Sequence, residues 1–456
     1  QPLTVSGELV TDAVRAQTTS GQYDARAPES SIGIWRPMTN LVTNGSFETN
    51  TTGWTGDTGV TLSRDTTVAR HGVVSLKVVA DGATGAQGAW TPPSTDTAIA
   101  VNANTQYTFS VWARGSGEVI LKIAWFTSTG TWLGDTNSAA QTLSSSWQRL
   151  TLTAVSPANA AKARVAVRTT TAQATTFWLD AVQFEQSPFA TPYMHTDGAT
   201  ASRVAPQLLL PAATINQLLN NTQGWVAIRA RPGVNYSQLP SGWSLTLFSW
   251  RNTTAAPWIA MRLWSGASDG LLLLDSNPGG SVSIPAGSIS AGGSFLAVGA
   301  WTASAVRLSL DGDAFVTATR SAIPDLGNVQ ATFGGRWDND LTMYLNGELL
   351  WVAMGTGVLA DADAAALAAL GDNEPTISDF PATAQPTFLW PCVSTTAIRP
   401  ADVSYAQVRG GLVLDPGENA VIVLLDDAGG DVPSMQSLRC RARLVVTPRY
   451  RHLRGD

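Results

Sequence analysis

The chain has 456 residues, too many for one ordinary domain and enough for two to four. Its formal net charge of −6 argues against a nucleic-acid partner, which would require a concentrated basic face to displace counterions from phosphates. No apolar run reaches the roughly 18 to 20 residues that cross a bilayer. Gln1 opens the chain with neither Met nor an apolar signal segment, so the ends carry no targeting information.

Charged residues make up 14% of the chain, while 41 glycines and 17 tryptophans accompany abundant Ser and Thr. Short period-two runs between Gly- and Asn-containing turns predict an all-β protein, soluble and surface-exposed. Cys392 and Cys440 are too few for a disulfide-built scaffold and read as unpaired, semi-buried thiols.

In chain order, residues 1–40 hold short β-like runs (Leu3-Thr4-Val5 and Ser31-Ile32-Gly33-Ile34-Trp35). Too small to bury much apolar surface alone, this N-terminal segment is expected to pack on a neighbour. Residues 41–186 carry a first sandwich. Tyr107, Phe109 and Val111 alternate with Thr108, Ser110 and Trp112, the period of a half-buried strand, and Val119, Leu121, Ile123 and Trp125 repeat it. A connector, 187–206, is stiffened by Pro188 and Pro192. Residues 207–375 form a second sandwich, in which Asp361 or Asp363 caps a short helix that Gly371 ends. Residues 376–456 turn Pro-rich, then resume β patterning at Gly411–Leu414 and Ala420–Leu425.

Four stretches of the first sandwich carry a resemblance. They are Asn44-Gly45-Ser46-Phe47-Glu48 with Gly53-Trp54, Asn104–Arg114, Ser145–Leu150 and Phe177–Glu185. In order and spacing they closely resemble the galactose-binding-like jelly-roll carbohydrate-binding modules attached to xylanases and glucanases. The connector, with Thr191, Tyr193, Thr196 and Arg203, resembles the tail that follows the same jelly roll in many bacteriophage tail proteins. Gly224–Arg229, Val306–Gly312, Thr332–Gly335, Leu345–Leu349 and Leu359–Gly371 resemble a laminin-G-like, concanavalin-A-type sandwich. In that family Asn-Gly, here Asn346-Gly347, marks a tight turn.

The jelly-roll resemblance implies a structural calcium held by Glu48 and Asp180, with backbone carbonyls from a loop such as Arg70-His71-Gly72. The alternative is that both carboxylates pair with arginines or face water. For ligand contact the pattern favours Trp112, on the strand side opposite Tyr107 and Phe109, with Trp125, Trp132 and Trp90 near it. Sugar rings pack their C–H faces on indole, and neighbouring polar groups fix the hydroxyls. Large aromatics in sandwiches are as a rule core, and that reading stands beside the first for each tryptophan.

Catalysis finds no footing. His71, His195 and His452 sit in a turn, the connector and the tail, and no Gly-x-Ser-x-Gly elbow appears. Glycosidases need two carboxylates across one cleft. The strands Ile259–Leu263 and Leu349–Ala353 offer none, and Asp338-Asn339-Asp340 reads as a turn. The terminal Arg454-Gly455-Asp456 is too short a match to carry an integrin reading, and Arg439, Arg441 and Arg443 suit internal pairing or a subunit contact.

These readings converge on a non-catalytic virion tail protein, at a tail tip or in a fibre, that binds a cell-surface glycan. Its partners would be other virion tail proteins, with no nucleic acid and no membrane insertion. A homo-oligomer is compatible, although no heptads support one. The alternatives are the carbohydrate-binding region of a secreted bacterial glycoside hydrolase or adhesin, and a purely structural virion spacer.

Overall fold

The computed structural model describes residues 4–6, 32–203, 207–251, 257–265, 271–285, 287, 289–336, 340, 342–372 and 375–390. Cys392, Cys440, the arginine-rich end, the terminal Arg454-Gly455-Asp456, Asp338 and Asn339 lie outside the described residues. Strands dominate, and the two α-helices among the described residues are short, Ala212–Leu218 and Asp361–Ala368. Neither is long and apolar enough to cross a membrane.

Two antiparallel sheets make the first sandwich. Sheet A runs Trp132–Asn137, Glu118–Phe126, Lys162–Thr169, Gly88–Thr91, Thr55–Gly56. Sheet B runs Gln148–Val155, Gln106–Gly115, Ala174–Glu185, Ser75–Asp81, Val60–Asp65. Alternation drives the packing: Tyr107, Phe109 and Val111 of sheet B meet Leu121, Ile123 and Trp125 of sheet A in one core, each at most 1% exposed.

The strand Ala174–Glu185 changes parity midway. Phe177 and Leu179 face the core before the irregularity between Asp180 and Gln183, and Val182 and Phe184 face it afterwards. Ala181 takes a left-handed φ of 47°, and the extra residue keeps both halves of the strand in the core. The same shift leaves Asp180, Gln183 and Glu185 on the outer side of sheet B.

The second sandwich is discontinuous in sequence. Its sheet C runs Thr4–Ser6, Gln207–Leu210, Ala331–Phe333, Ser244–Trp250, Trp258–Trp264, Leu271–Asn277, Gly280–Pro285. Sheet D runs Ile32–Ile34, Gly347–Gly355, Gly224–Pro232, Phe295–Trp301, Ala305–Leu310, Val316–Thr319, with Phe388–Trp390 also on Gly347–Gly355. The N-terminal segment and the chain past 376 thus both give strands to this sandwich. The first sandwich sits in the sequence between strands 32–34 and 207–210. Where the chain enters and leaves it, Met38–Asn40 pairs with Ala201–Arg203.

The connector carries no regular element from 187 to 200, yet it is pinned to sheet B. Thr191 donates through Oγ1 to Glu185 Oε2 at 2.7 Å, and its N–H donates to Glu185 Oε1 at 2.8 Å. Gly45 N–H donates to Thr196 Oγ1, and Arg203 donates to the Pro192 carbonyl. Phe189 leaves this seam for the core of the second sandwich, edge-on to Trp243.

Candidate functional site

The outer face of sheet A gathers indoles, cations and carboxylates. With Ala89, Val165, Val167, Ile123 and Trp125 in the core, strand alternation turns Trp90, Arg164, Arg168 and Lys122 outward. Ala166, opposite both Lys122 and Trp90, is too small to fill the space between them. The Trp90 ring centre lies 4.9 Å from the Arg164 guanidinium, 5.5 Å from that of Arg168 and 5.8 Å from Lys122 Nζ. Such distances are within cation–π reach.

Two aspartates fix this arrangement. Asp57 accepts from Trp90 Nε1 at 3.1 Å and from Arg168 Nε at 2.9 Å. Asp135 accepts from Lys122 Nζ at 2.7 Å and from Trp132 Nε1 at 2.9 Å. Arg164 is held by the carbonyls of Pro92 and Pro93, and burial lowers its pKa against the opposing pull of Asp57. Trp132 is 61% exposed, so its indole is presented to solvent while its N–H stays anchored. The face therefore offers an open indole, a half-buried one, and fixed donors and acceptors between them, the chemistry that matches a sugar's C–H face and its hydroxyls.

Of the three tryptophans favoured from the sequence, Trp132 alone stands open here. Trp125 is a correction: it is 1% exposed in the sandwich core, with Nε1 donating to Thr136 Oγ1 at 2.9 Å, because its strand parity places it beside Ile123. Trp112 does point away from that core, but on sheet B, with the Arg70 guanidinium 4.0 Å from its ring centre. The structure does not bring these three to one site. Lys122, Arg164, Arg168, Asp57 and Asp135 were not singled out from the sequence. The alternation of Arg164 and Arg168 with Val165 and Val167 was legible there, but nothing in it paired them with Trp90.

Glu48 and Asp180 meet the same loop. Asp180 Oδ2 accepts the N–H groups of Arg70 at 2.6 Å and His71 at 2.8 Å, and Oδ1 accepts that of Ala181 at 2.6 Å. Glu48 Oε1 accepts the N–H groups of Val73 at 2.9 Å and Val74 at 3.2 Å. Gly72 turns the loop between them at a left-handed φ of 71°, and a Cβ there would lie 2.1 Å from Glu48 Oε1. The loop thus presents amides where carbonyls were expected. Among the described residues, no group of three or more His, Cys, Asp or Glu converges on a metal position. Burial pushes the Asp180 carboxyl well above the usual range, the three amides oppose this, and the like charge of Glu48 adds to it.

Residues 39–175 match the family model described as a carbohydrate binding domain, so the chain carries a carbohydrate-binding domain there. Similar solved structures include the CBM22-1 and GH10 modules of endo-1,4-β-D-xylanase 10B from Clostridium thermocellum, complexed with xylohexaose. That match has 17% identity and a TM-score of 0.27, covering 32% of this chain and 29% of that one. The enzymatically active domain of tailspike protein 4 of bacteriophage CBA120 is similar at 16% identity and a TM-score of 0.28, over 32% of this chain and 21% of that one. The CBM22-1 xylan-binding domain of Paenibacillus barcinonensis Xyn10C is similar at 21% identity and a TM-score of 0.26, over 33% of this chain and 95% of that one. No curated protein matches the chain.

Proposed function

We propose that the chain is a non-catalytic virion tail protein, acting outside the cell, that attaches to a host-surface glycan through the outer face of sheet A. The observation that carries the binding reading is Trp90 within reach of three cations, one of which, Lys122, shares Asp135 with the open Trp132, both indoles inside the matched carbohydrate-binding region. The tail assignment is supported by the order of jelly roll, Thr191-to-Arg203 connector and second sandwich. Its partners on this reading are other tail proteins. Many copies on one particle raise avidity by roughly 10² to 10⁴ over a single shallow site.

The binding test is a glycan-array measurement on the whole chain and on a Trp90→Ala, Trp132→Ala double variant. We expect the variant to lose at least ten-fold on one or more of the glycans that the parent binds, while its far-ultraviolet circular dichroism is retained. Undiminished binding to every glycan that the parent holds would remove the face from consideration. The tail assignment is tested by antibody labelling of native particles in the electron microscope, where labelling away from the tail overturns it.

Calcium belongs to the same proposal. Glu48 and Asp180 are the carboxylates that would hold it, and the ion would offset the like charge that half-buried Glu48 sets against buried Asp180. Its role would be structural. Because an ion that binds only the folded chain stabilises it, the melting temperature should rise with calcium and fall with a chelator. That response should vanish in Asp180→Asn. A melting temperature indifferent to calcium in the parent chain would mean that the five amides serve these carboxylates alone.

A further inference from the structure

The second sandwich carries an aromatic row of its own on the outer face of sheet C. Ile259, Met261 and Leu263 of the strand Trp258–Trp264 enter the core, which turns Trp258, Ala260, Arg262 and Trp264 outward. The guanidinium of Arg251 lies 4.3 Å from the Trp258 ring centre, and that of Arg262 lies 4.7 Å from the Trp264 ring centre. On the adjacent strand Asp275 pairs with Ala260, and its Oδ2 accepts from Arg262 Nη2 at 2.7 Å. Trp264 is 40% exposed, so part of its indole is open to a ligand from solvent.

The spacing of this row indicates its occupant. Six residues at about 3.3 Å each set the two indoles about 20 Å apart along the strand, the length of about four sugar rings in an extended chain. Ala260 keeps the centre of the row low. There the Arg262–Asp275 pair presents fixed N–H donors and carboxylate acceptors, and because the pair cancels its own charge, it suits hydroxyls better than an ionic group.

We propose that this row is a second binding site, a groove for an extended neutral oligosaccharide of about four residues running from Trp258 to Trp264. It is independent of the face around Trp90. The test uses the whole chain on immobilised neutral oligosaccharides of two, four and six residues, namely xylo-, cello- and manno-series. Trp264→Ala and Trp90→Ala, Trp132→Ala variants are run beside the parent, with circular dichroism melts as the folding control. We expect the double variant to retain at least one tetrasaccharide, and Trp264→Ala to weaken that retention about ten-fold, with the disaccharide held far more weakly. A conservative Arg262→Lys, which keeps the charge and loses the fork, should weaken it also. Retention that vanishes in the double variant and is unchanged in Trp264→Ala overturns this site and leaves the first standing. The reverse pattern removes the first and leaves this one, and a parent chain that holds none of the probes removes both.

Discussion

Single side chains in this protein divide by strand parity more than by residue type. Trp125 and Trp132 lie seven residues apart and both hydrogen-bond through Nε1, yet one is 1% exposed and the other 61%. Trp125→Ala should therefore cost about 3 to 5 kcal/mol by leaving a cavity among Tyr107, Ile123 and their neighbours, read by chemical denaturation. Trp132→Ala should leave stability nearly unchanged.

His71 behaves differently again. It packs against Tyr193 at 5.1 Å and His195 at 6.3 Å between ring centres. Burial, the His195 ring and Arg70 lower its pKa from 6.5 to about 4. An unfolded chain takes up this proton near 6.5 and the folded one near 4, so the stabilisation is full above 6.5 and is lost as pH falls to about 4. Asp180 and Glu185, both raised by burial, act in the opposite sense as pH falls, so the effect must be read against a His71→Asn variant. Over that window the parent should lose up to about 3 kcal/mol relative to the variant in denaturation at stepped pH. Parallel pH profiles for the two chains would show that His71 is not the group responsible.

At the scale of elements, the sequence was most legible where one local rule acts alone. The period-two runs at Tyr107–Val111 and Val119–Trp125 became strands facing one core. Asp363 Oδ2 accepts the Ala360 N–H at the start of the short helix, and Gly371 takes a φ of 65° past its end, as the spacing of those residues suggested. Where two distant segments cooperate, the sequence was silent. The parity shift at Ala181 and the pairing of Asp57 with both Trp90 and Arg168 depend on contacts more than 30 residues apart. Neither leaves a periodic trace. The connector lies between these cases, since its Thr, Tyr, Thr and Arg were recognisable as a motif while their partners were not. In the structure Thr191 satisfies the buried Glu185, and the Gln183 amide donates to the other Glu185 oxygen at 2.7 Å. Thr191→Val keeps the shape and removes the hydroxyl. It should cost about 1 to 3 kcal/mol, the penalty of a buried charged group losing a donor, visible as a lower denaturation midpoint at unchanged slope.

For the whole molecule, the decisive feature is that one sandwich is inserted into the other. The chain enters the first at Met38–Asn40 and leaves it at Ala201–Arg203, two segments paired residue for residue, so the insertion closes on itself like a clasp. Residues 38–203 own a complete core, and a fragment with those bounds should unfold in one cooperative transition. The second sandwich has no such independence from the N-terminal segment. Ile34, fully buried, lies against Gly334, where a Cβ would come within 2.3 Å of it, and Trp35 lies against Gly233, where a Cβ would come within 2.0 Å. Those glycines leave room for side chains that arrive from before the insertion, and Ile32–Ile34 covers the edge of Gly347–Gly355 that sheet D would otherwise expose. A fragment beginning at residue 207 loses that strand and both side chains together. Each large side chain removed from a core costs roughly 2 to 5 kcal/mol, a sum comparable with the whole stability of a domain. The shortened second sandwich should therefore aggregate or lack a cooperative melt. A chain in which residues 41–199 are replaced by a short Gly/Ser turn should keep a cooperative melt, because the clasp already brings those ends together. Equal stability of the two fragments in parallel melts would mean that the N-terminal strand decorates this sandwich without completing it.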